Sequence, residues 1–371
     1  MNYKHNFSRR RFLALSAAAS SSLIMPRWIG QARAAPLAAI NEEDAVIAFG
    51  LTGPVSDEGW NTKQNEGAKA IQAAFPKAKT LVVESIPFSA DASRTFRQFV
   101  QEGAQMVFST SNYGDFFASV VERSPEVAFL EADGRRVADN LGWYYAAHWH
   151  PTYVIGVAAG LLSKSGKLGF IASFPVPMAI SSSNAFLMGA RSVNPAATLQ
   201  VISINSWFDP QGANQAASAL IDNGCDFLFG VMNEASYLQV AEQRGVRAAM
   251  WSSDMRRYGK NAYVSSIIPD WTAFYVDQVR KRLEGTWSGG GQTLLPLGGG
   301  IDRDSWGESV PADVAAKADA VREKIIGGWS PFTGEIKDTT GAVRVKAGET
   351  LDEFALYNWD WSVEGVSGLG T

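Results

Sequence analysis

The sequence predicts an α/β protein made of two successive doubly wound units, each a parallel sheet covered on both faces by helices. Three observations predict it. Short β-branched or apolar runs alternate with helix-length amphipathic stretches, and the alternation restarts after Pro151. Behind a basic leader, roughly 335 residues remain, more than one hydrophobic core usually serves.

The leader contains Lys4, Arg9, Arg10, Arg11, Arg27 and Arg33 and no acidic residue. Ser8-Arg9-Arg10-Arg11-Phe12-Leu13 fits the twin-arginine export pattern, an apolar stretch runs from Phe12 to Met25, and Ala32-Arg33-Ala34 reads as an A-x-A cleavage site. Residues 1–34 are therefore expected to be a twin-arginine signal peptide, with the mature chain beginning near Ala35. A membrane anchor is the alternative, but the apolar stretch is shorter than the ~20 residues needed to span a bilayer and is interrupted by serines. The full chain has 33 Lys plus Arg against 37 Asp plus Glu, and six of the basic residues lie in the leader. The chain beyond the leader is markedly acidic and has no Lys/Arg cluster, so nucleic acid is not an expected partner. The single cysteine, Cys225, excludes an internal disulfide and does not sit where an N-terminal lipid would attach. A monomer free in the periplasm, not lipid-anchored, is expected. Within Cys225-Asp226-Phe227-Leu228-Phe229-Gly230, the thiol reads as a small buried apolar group and not as a nucleophile.

In the first unit, strands are expected over 45–51, 80–84, 106–109 and 127–131. Helices are expected between them over 61–74, 93–102 and 113–123, with Asp91 and Asn112 as caps. The second unit repeats the pattern, with strands over 167–172, 198–204, 226–231 and 247–252 and helices over 184–193, 211–223 and 234–244. Gly224 and Gly245 stand where helices should stop. A strand over 263–268, a helix over 271–284 and a Gly-rich break at 288–291 complete the pattern. The expected lobes are 35–150 plus 270–297 and 151–269 plus 298–371, hinged near 149–153, 269–271 and 297–300.

Ligands of such sheets bind outside the carboxyl ends of the strands. The loops at those places hold Gly53-Pro54 through Trp60-Asn61, Asn112-Tyr113, Asp133-Gly134, Ser173-Phe174-Pro175, Ser206-Trp207-Phe208-Asp209, Met232-Asn233-Glu234 and Ser252-Ser253-Asp254. Aromatic rings beside amides and carboxylates suit a flat heterocycle, stacked on its faces and hydrogen-bonded at its rim. The candidate ligand-binding residues are Trp60, Asn61, Asn112, Tyr113, Asp133, Phe174, Trp207, Asn233, Ser252 and Asp254. Trp271, opening the helix at 271–284, joins them.

These residues carry a resemblance. The Gly53-Pro54 to Trp60-Asn61 loop, Tyr153 to Gly160, Asn184 to Ala190 and Trp251 to Met255 are similar to the basic membrane protein (BMP, or PnrA-like) family, over nearly the whole mature chain. The similarity is greatest to a nucleobase-associated subgroup marked by Asn184 to Pro195, Ser206 to Pro210, Asp254-Met255 and Gly285-Thr286-Trp287. The resemblance implies a type I periplasmic binding fold, two Rossmann-like lobes that close on a ligand. It also implies a receptor for purine nucleosides or related compounds that feeds the permease and ATPase subunits of an ABC importer. It puts the family's stacking aromatic on Trp60, its neighbouring amide on Asn61 and its base-edge carboxylate on Asp133. A second aromatic falls on Phe186 or Phe174. Where the family holds ribose hydroxyls with two Asp and a Lys, this chain has Gly53, Ser252 and Pro269. Each lost charge-assisted hydrogen bond is typically worth ~1.5 to 3 kcal/mol, so a purine base or another compact heterocycle is expected over a nucleoside.

An exported enzyme acting on purines or nucleosides is the rival reading, and a receptor for an unrelated small ligand is another. Read as a strand, His148-Trp149-His150 puts both imidazoles on one face, but a metal would need further converging ligands. Ser56-Asp57 and Ser253-Asp254 pair hydroxyls with carboxylates and have no histidine linked to them. Gly298-Gly299-Gly300 lacks a Walker lysine. No cofactor, metal or enzymatic activity is expected.

Overall fold

The computed structural model describes residues 35–369. The expected export leader and its cleavage site lie outside the described residues. Strands β1 (Val46–Gly50), β2 (Lys79–Val83), β3 (Met106–Ser109), β4 (Ala128–Ala132) and β5 (Leu141–Ala146) alternate with helices α1 (Trp60–Ala74), α2 (Ala90–Gln101) and α3 (Asp115–Val121). Helix α4 (Trp149–Leu162) then leads into β6 (Lys167–Ala172), α5 (Pro177–Arg191), β7 (Thr198–Ser203), α6 (Pro210–Asp222), β8 (Phe227–Gly230), α7 (Ser236–Arg244), β9 (Arg247–Trp251) and β10 (Tyr263–Pro269). After these come α8 (Thr272–Leu283), β11 (Gln292–Leu295), β12 (Ile301–Arg303) and α9 (Ala312–Ile326). The chain finishes with a hairpin of β13 (Ile336–Lys337) and β14 (Val343–Val345), then α10 (Glu353–Tyr357) and β15 (Val366–Ser367).

Two sheets form. The first runs β11-β5-β4-β3-β1-β2, entirely parallel, and the second runs β12-β10-β9-β8-β6-β7-β15, parallel except where β12 meets β10. The first five strands of each half take the same order, with the first strand between the second and third. Each sheet therefore has a switch point where successive loops diverge and leave a crevice. The chain passes between the halves at 147–148, 270–271 and 296–300, and one continuous apolar core links the two sheets.

The histidine segment departs from the strand expected for it. Leu141–Ala146 is the strand, and Trp149–Leu162 is a helix buried along almost its whole length. Such a helix is apolar all round and shows no periodic stripe, so the sequence pattern does not reveal it. It packs against α5 at very short range, where a Cβ on Gly156 would strike the Phe186 carbonyl and one on Gly189 would strike that of Tyr153. The Tyr153–Gly160 and Asn184–Ala190 motifs thus serve helix packing. The expected caps also shift: Ser89, not Asp91, caps α2 by accepting from the Asp91 amide, and Gly114 precedes α3.

Candidate functional site

A cleft of about 790 Å³ opens between the carboxyl edges of the two sheets, within the ~300–1,000 Å³ that small-molecule sites span. Its walls carry Trp60, Phe88, Tyr145, Trp207, Phe208, Trp251 and Tyr258, together with the carboxylates Asp57, Glu58, Asp133 and Glu234. Its lining contains no Lys, Arg or His.

On the first-sheet wall, nearly every polar group is already held. Asp57 Oδ1 accepts from the amides of Gly59 (2.8 Å) and Thr62 (3.0 Å), and Oδ2 from the amide of Asn61 (3.0 Å), which caps the start of α1. Asn61 donates Nδ2 to Asp57 Oδ2 (2.9 Å), while its Oδ1 accepts from Thr52 Oγ1 and the Gly53 amide (both 3.1 Å). Trp60 donates its indole N–H to the Thr110 carbonyl at 2.8 Å and meets Trp271 edge-on at 5.4 Å, so its ring plane is fixed. Asp133 adopts the left-handed region (φ 53°) at the end of β4, and its Oδ1 lies 2.9 Å from the Tyr357 hydroxyl. Tyr357 in turn stacks on Trp143 at 4.9 Å, and the Arg135 guanidinium covers its other face. Although 39% of the Asp133 side chain is open, crowding by protein pushes its pKa upward, opposed by Arg135 and the Tyr357 hydroxyl. Beneath it, burial pushes Glu131 up to about 8, while its Oε1 accepts from the Tyr113 amide.

The second-sheet wall is looser. Trp207 and Phe208 stand out on the loop before α6, with Phe208 61% exposed. Glu234, 6% exposed, caps α7 by accepting from the Ser236 amide at 2.6 Å, and burial raises its pKa. Its donors come from Ser236 alone, whose hydroxyl is buried beside it. At the mouth the halves touch. Glu58, with φ 54°, accepts from the Tyr258 hydroxyl at 2.8 Å and pairs with Arg257, and Gly59 lies so close to Asn233 that a Cβ would come within 2.9 Å of its Oδ1.

Of the residues proposed from sequence, Trp60, Asn61, Asp133, Trp207 and Asn233 line this cleft. The others stand behind it. Asn112 braces the Asp133 turn through its Nδ2 to the Asp133 carbonyl. Tyr113 is buried and stacks behind Phe88 at 4.6 Å, and Phe174 packs behind Trp207 at 5.6 Å. Trp271 is buried behind Trp60, Ser252 is buried with φ 68°, and Asp254 turns away to pair with Arg256. Phe186 needs correction as a stacking residue: it is 0% exposed and packs on Phe227 and Phe229 in the core, because α5 turns that face inward. Sequence reading missed Phe88, Tyr145 and Tyr357. An aromatic tail, Tyr357-Asn358-Trp359-Asp360-Trp361, was the available signal for the last. His148 is buried, with Nε2 3.0 Å from Ser181 Oγ, and burial lowers its pKa to about 4. No group of three or more potential metal ligands and no helix long and apolar enough to cross a membrane occur among the described residues.

The family model described as "ABC transporter substrate-binding protein PnrA-like" matches residues 45–303. The chain belongs to this family. A purine-binding protein of Brucella abortus is 34% identical over 333 residues, covering 89% of this chain and 95% of that protein. A putative ABC transporter glucose-binding protein of Haloferax volcanii is 32% identical over 326 residues, covering 85% and 78%. Among solved structures, an ABC transporter solute-binding protein from Conexibacter woesei superposes with a TM-score of 0.63 at 21% identity, covering 76% of this chain and 97% of that one. That similarity speaks for the fold alone, and the periplasmic binding fold expected from sequence is the one found. Family membership makes the chain a substrate-binding protein of an ABC transporter, with a small-molecule ligand, a membrane transporter as partner and a place outside the cytoplasm. The family and these relatives are binding proteins, not enzymes.

Proposed function

We propose that the chain receives a purine base or closely related heterocycle, or its nucleoside, in the cleft and presents it to the permease and ATPase subunits of an importer. The observation that carries this reading is Trp60, whose ring is locked at the cleft wall by its indole hydrogen bond and stands in one cavity with the Asp133 carboxylate. A flat base stacks on the first and donates ring-edge N–H groups to the second. Similarity to a purine-binding relative across almost its full length supports it. The two halves act as hinged lobes, 35–150 plus 270–297 and 151–269 plus 298–371, and the ligand stabilises the closed arrangement because both walls touch it only there. The remaining parts of the proposal are twin-arginine export, release of the leader near Ala35 and a monomer free in the periplasm. Calorimetry against adenine, guanine, hypoxanthine, xanthine, their nucleosides and glucose tests the ligand class. Micromolar or tighter binding of a purine, about −8 kcal/mol or better, is expected. Heat from glucose alone, or from none of these, rejects it.

A further inference from the structure

Anions commonly bind where helix N-termini face a cleft, through unpaired amides and the positive end of the helix dipole. Here three of those ends are taken by the chain's own carboxylates, and the fourth, α5, opens on Val176-Pro177, whose proline has no amide to offer. Asp57 caps α1, Asp209 caps α6 through the Gly212 amide at 2.9 Å, and Glu234 caps α7. The cleft lining holds four carboxylates in all, Asp57 and Glu234 among them, and no cationic side chain. A phosphate or carboxylate on a ligand would meet four like charges and no cationic side chain to offset them.

Glu234 differs from Asp57. Both oxygens of Asp57 accept, from the amides of Gly59, Asn61 and Thr62 and from the Asn61 side chain, whereas Glu234 takes its donors from Ser236 alone. A carboxylate has about four acceptor sites, so one at a cleft wall that is served by a single residue keeps acceptor capacity for a ligand. Glu234 follows β8 of the second sheet and lines the same cleft as Asp133, which follows β4 of the first.

Resting on the reading of this cleft as the ligand site, we infer that Glu234 is the specificity-determining acceptor of the second-sheet wall. The cleft selects an uncharged or cationic heterocycle carrying N–H donors and turns away phosphorylated ones. A ligand held by Asp133 on one side and Glu234 on the other ties the two halves together, so the same contact that selects also favours closure.

The test compares adenine, hypoxanthine, adenosine and adenosine monophosphate by calorimetry on the parent and on Glu234→Gln. The Ser236 amide needs an acceptor, so the glutamine keeps its oxygen there and turns its NH₂ toward the cleft, where a donor now faces a donor. At least tenfold weaker binding is expected for whichever of adenine, hypoxanthine and adenosine the parent binds, with a thermal melt showing the variant folded. In the parent, the monophosphate should bind at least a hundredfold more weakly than adenosine or the free base, a comparison that needs no variant. Unchanged affinity in Glu234→Gln, or a monophosphate bound as well as its unphosphorylated counterpart, overturns the inference and leaves the purine reading standing. A parent that binds none of these, nor guanine, xanthine or their nucleosides, overturns both, and one that binds only a member of that second group is put through the same comparison with it and its monophosphate.

Discussion

The first-sheet wall of the cleft is finished before any ligand arrives, whereas the second-sheet wall is not. Trp60, Asn61 and Asp57 spend their polar atoms on one another and on loop backbone, and Tyr357 anchors Asp133 from a distant part of the chain. Across the cleft, Phe208 stands largely in solvent and Glu234 takes its donors from a single residue, Ser236. Groups already fixed in place lose little conformational freedom on binding, so the first wall should contribute most of the affinity. The second, with side chains still to be ordered, should contribute selection and closure.

The largest expected effect lies in neither wall and checks that core and cleft are separate. Phe186→Ala should cost ~3–5 kcal/mol of stability by opening a cavity in the core, read as a lower denaturation midpoint, with ligand affinity changed less than about threefold. A large loss of affinity in folded protein would return Phe186 to the site.

Next in size is an acid effect. His148 is depressed from 6.5 to about 4 by burial, so the unfolded chain takes up a proton between those values that the folded chain refuses. Its contribution is present above pH 6.5 and is lost as pH falls toward 4, on the order of 3 kcal/mol at most. Glu131, raised from 4.5 to about 8, acts with the opposite slope, keeping its proton in the folded state and losing stability as pH rises from 4.5 to 8. Melting curves across pH 4–8 for the parent, His148→Gln and Glu131→Gln separate the two. The acid loss should shrink in the first variant and the alkaline loss in the second.

The walls themselves are compared by Trp60→Ala against Phe208→Ala. The first should weaken binding by ~1 to 3 kcal/mol, with Trp60→Phe losing much less, and the second by under about 1 kcal/mol, because an exposed ring must be ordered before it can stack. Equal losses would erase the distinction. Tyr357→Phe removes the hydroxyl beside Asp133 and nothing of the stack on Trp143, so a loss of about 1 kcal/mol in affinity is expected, and Asp133→Asn should exceed it at ~1.5 kcal/mol or more. Glu58→Gln is the smallest. It weakens the link to Tyr258 and Arg257 at the mouth, an exposed pairing worth ~0.2–1 kcal/mol, and should appear as a few-fold faster ligand release in stopped flow with little change in association.

Much of this architecture was legible in the amino-acid order alone. Short apolar runs such as 106–109 and amphipathic stretches such as 61–74 report their own local conformation, and strict alternation of the two leaves a parallel sheet as the compact arrangement. The loops that form the cleft were legible for the same reason, since chain direction places them at the carboxyl edge. Helix α4 was not legible, because a helix buried on all sides has no stripe to read. The side chains that reach the cavity were decided only in three dimensions. Trp60 and Trp271 are both loop-flanking tryptophans in sequence, yet one lines the cleft and the other lies buried edge-on behind it. Tyr357 comes to Asp133 across 224 residues of separation because the C-terminal segment folds back over β5. A side chain's residue type is local, whereas the direction it points depends on which distant elements have already filled the other sides of its loop.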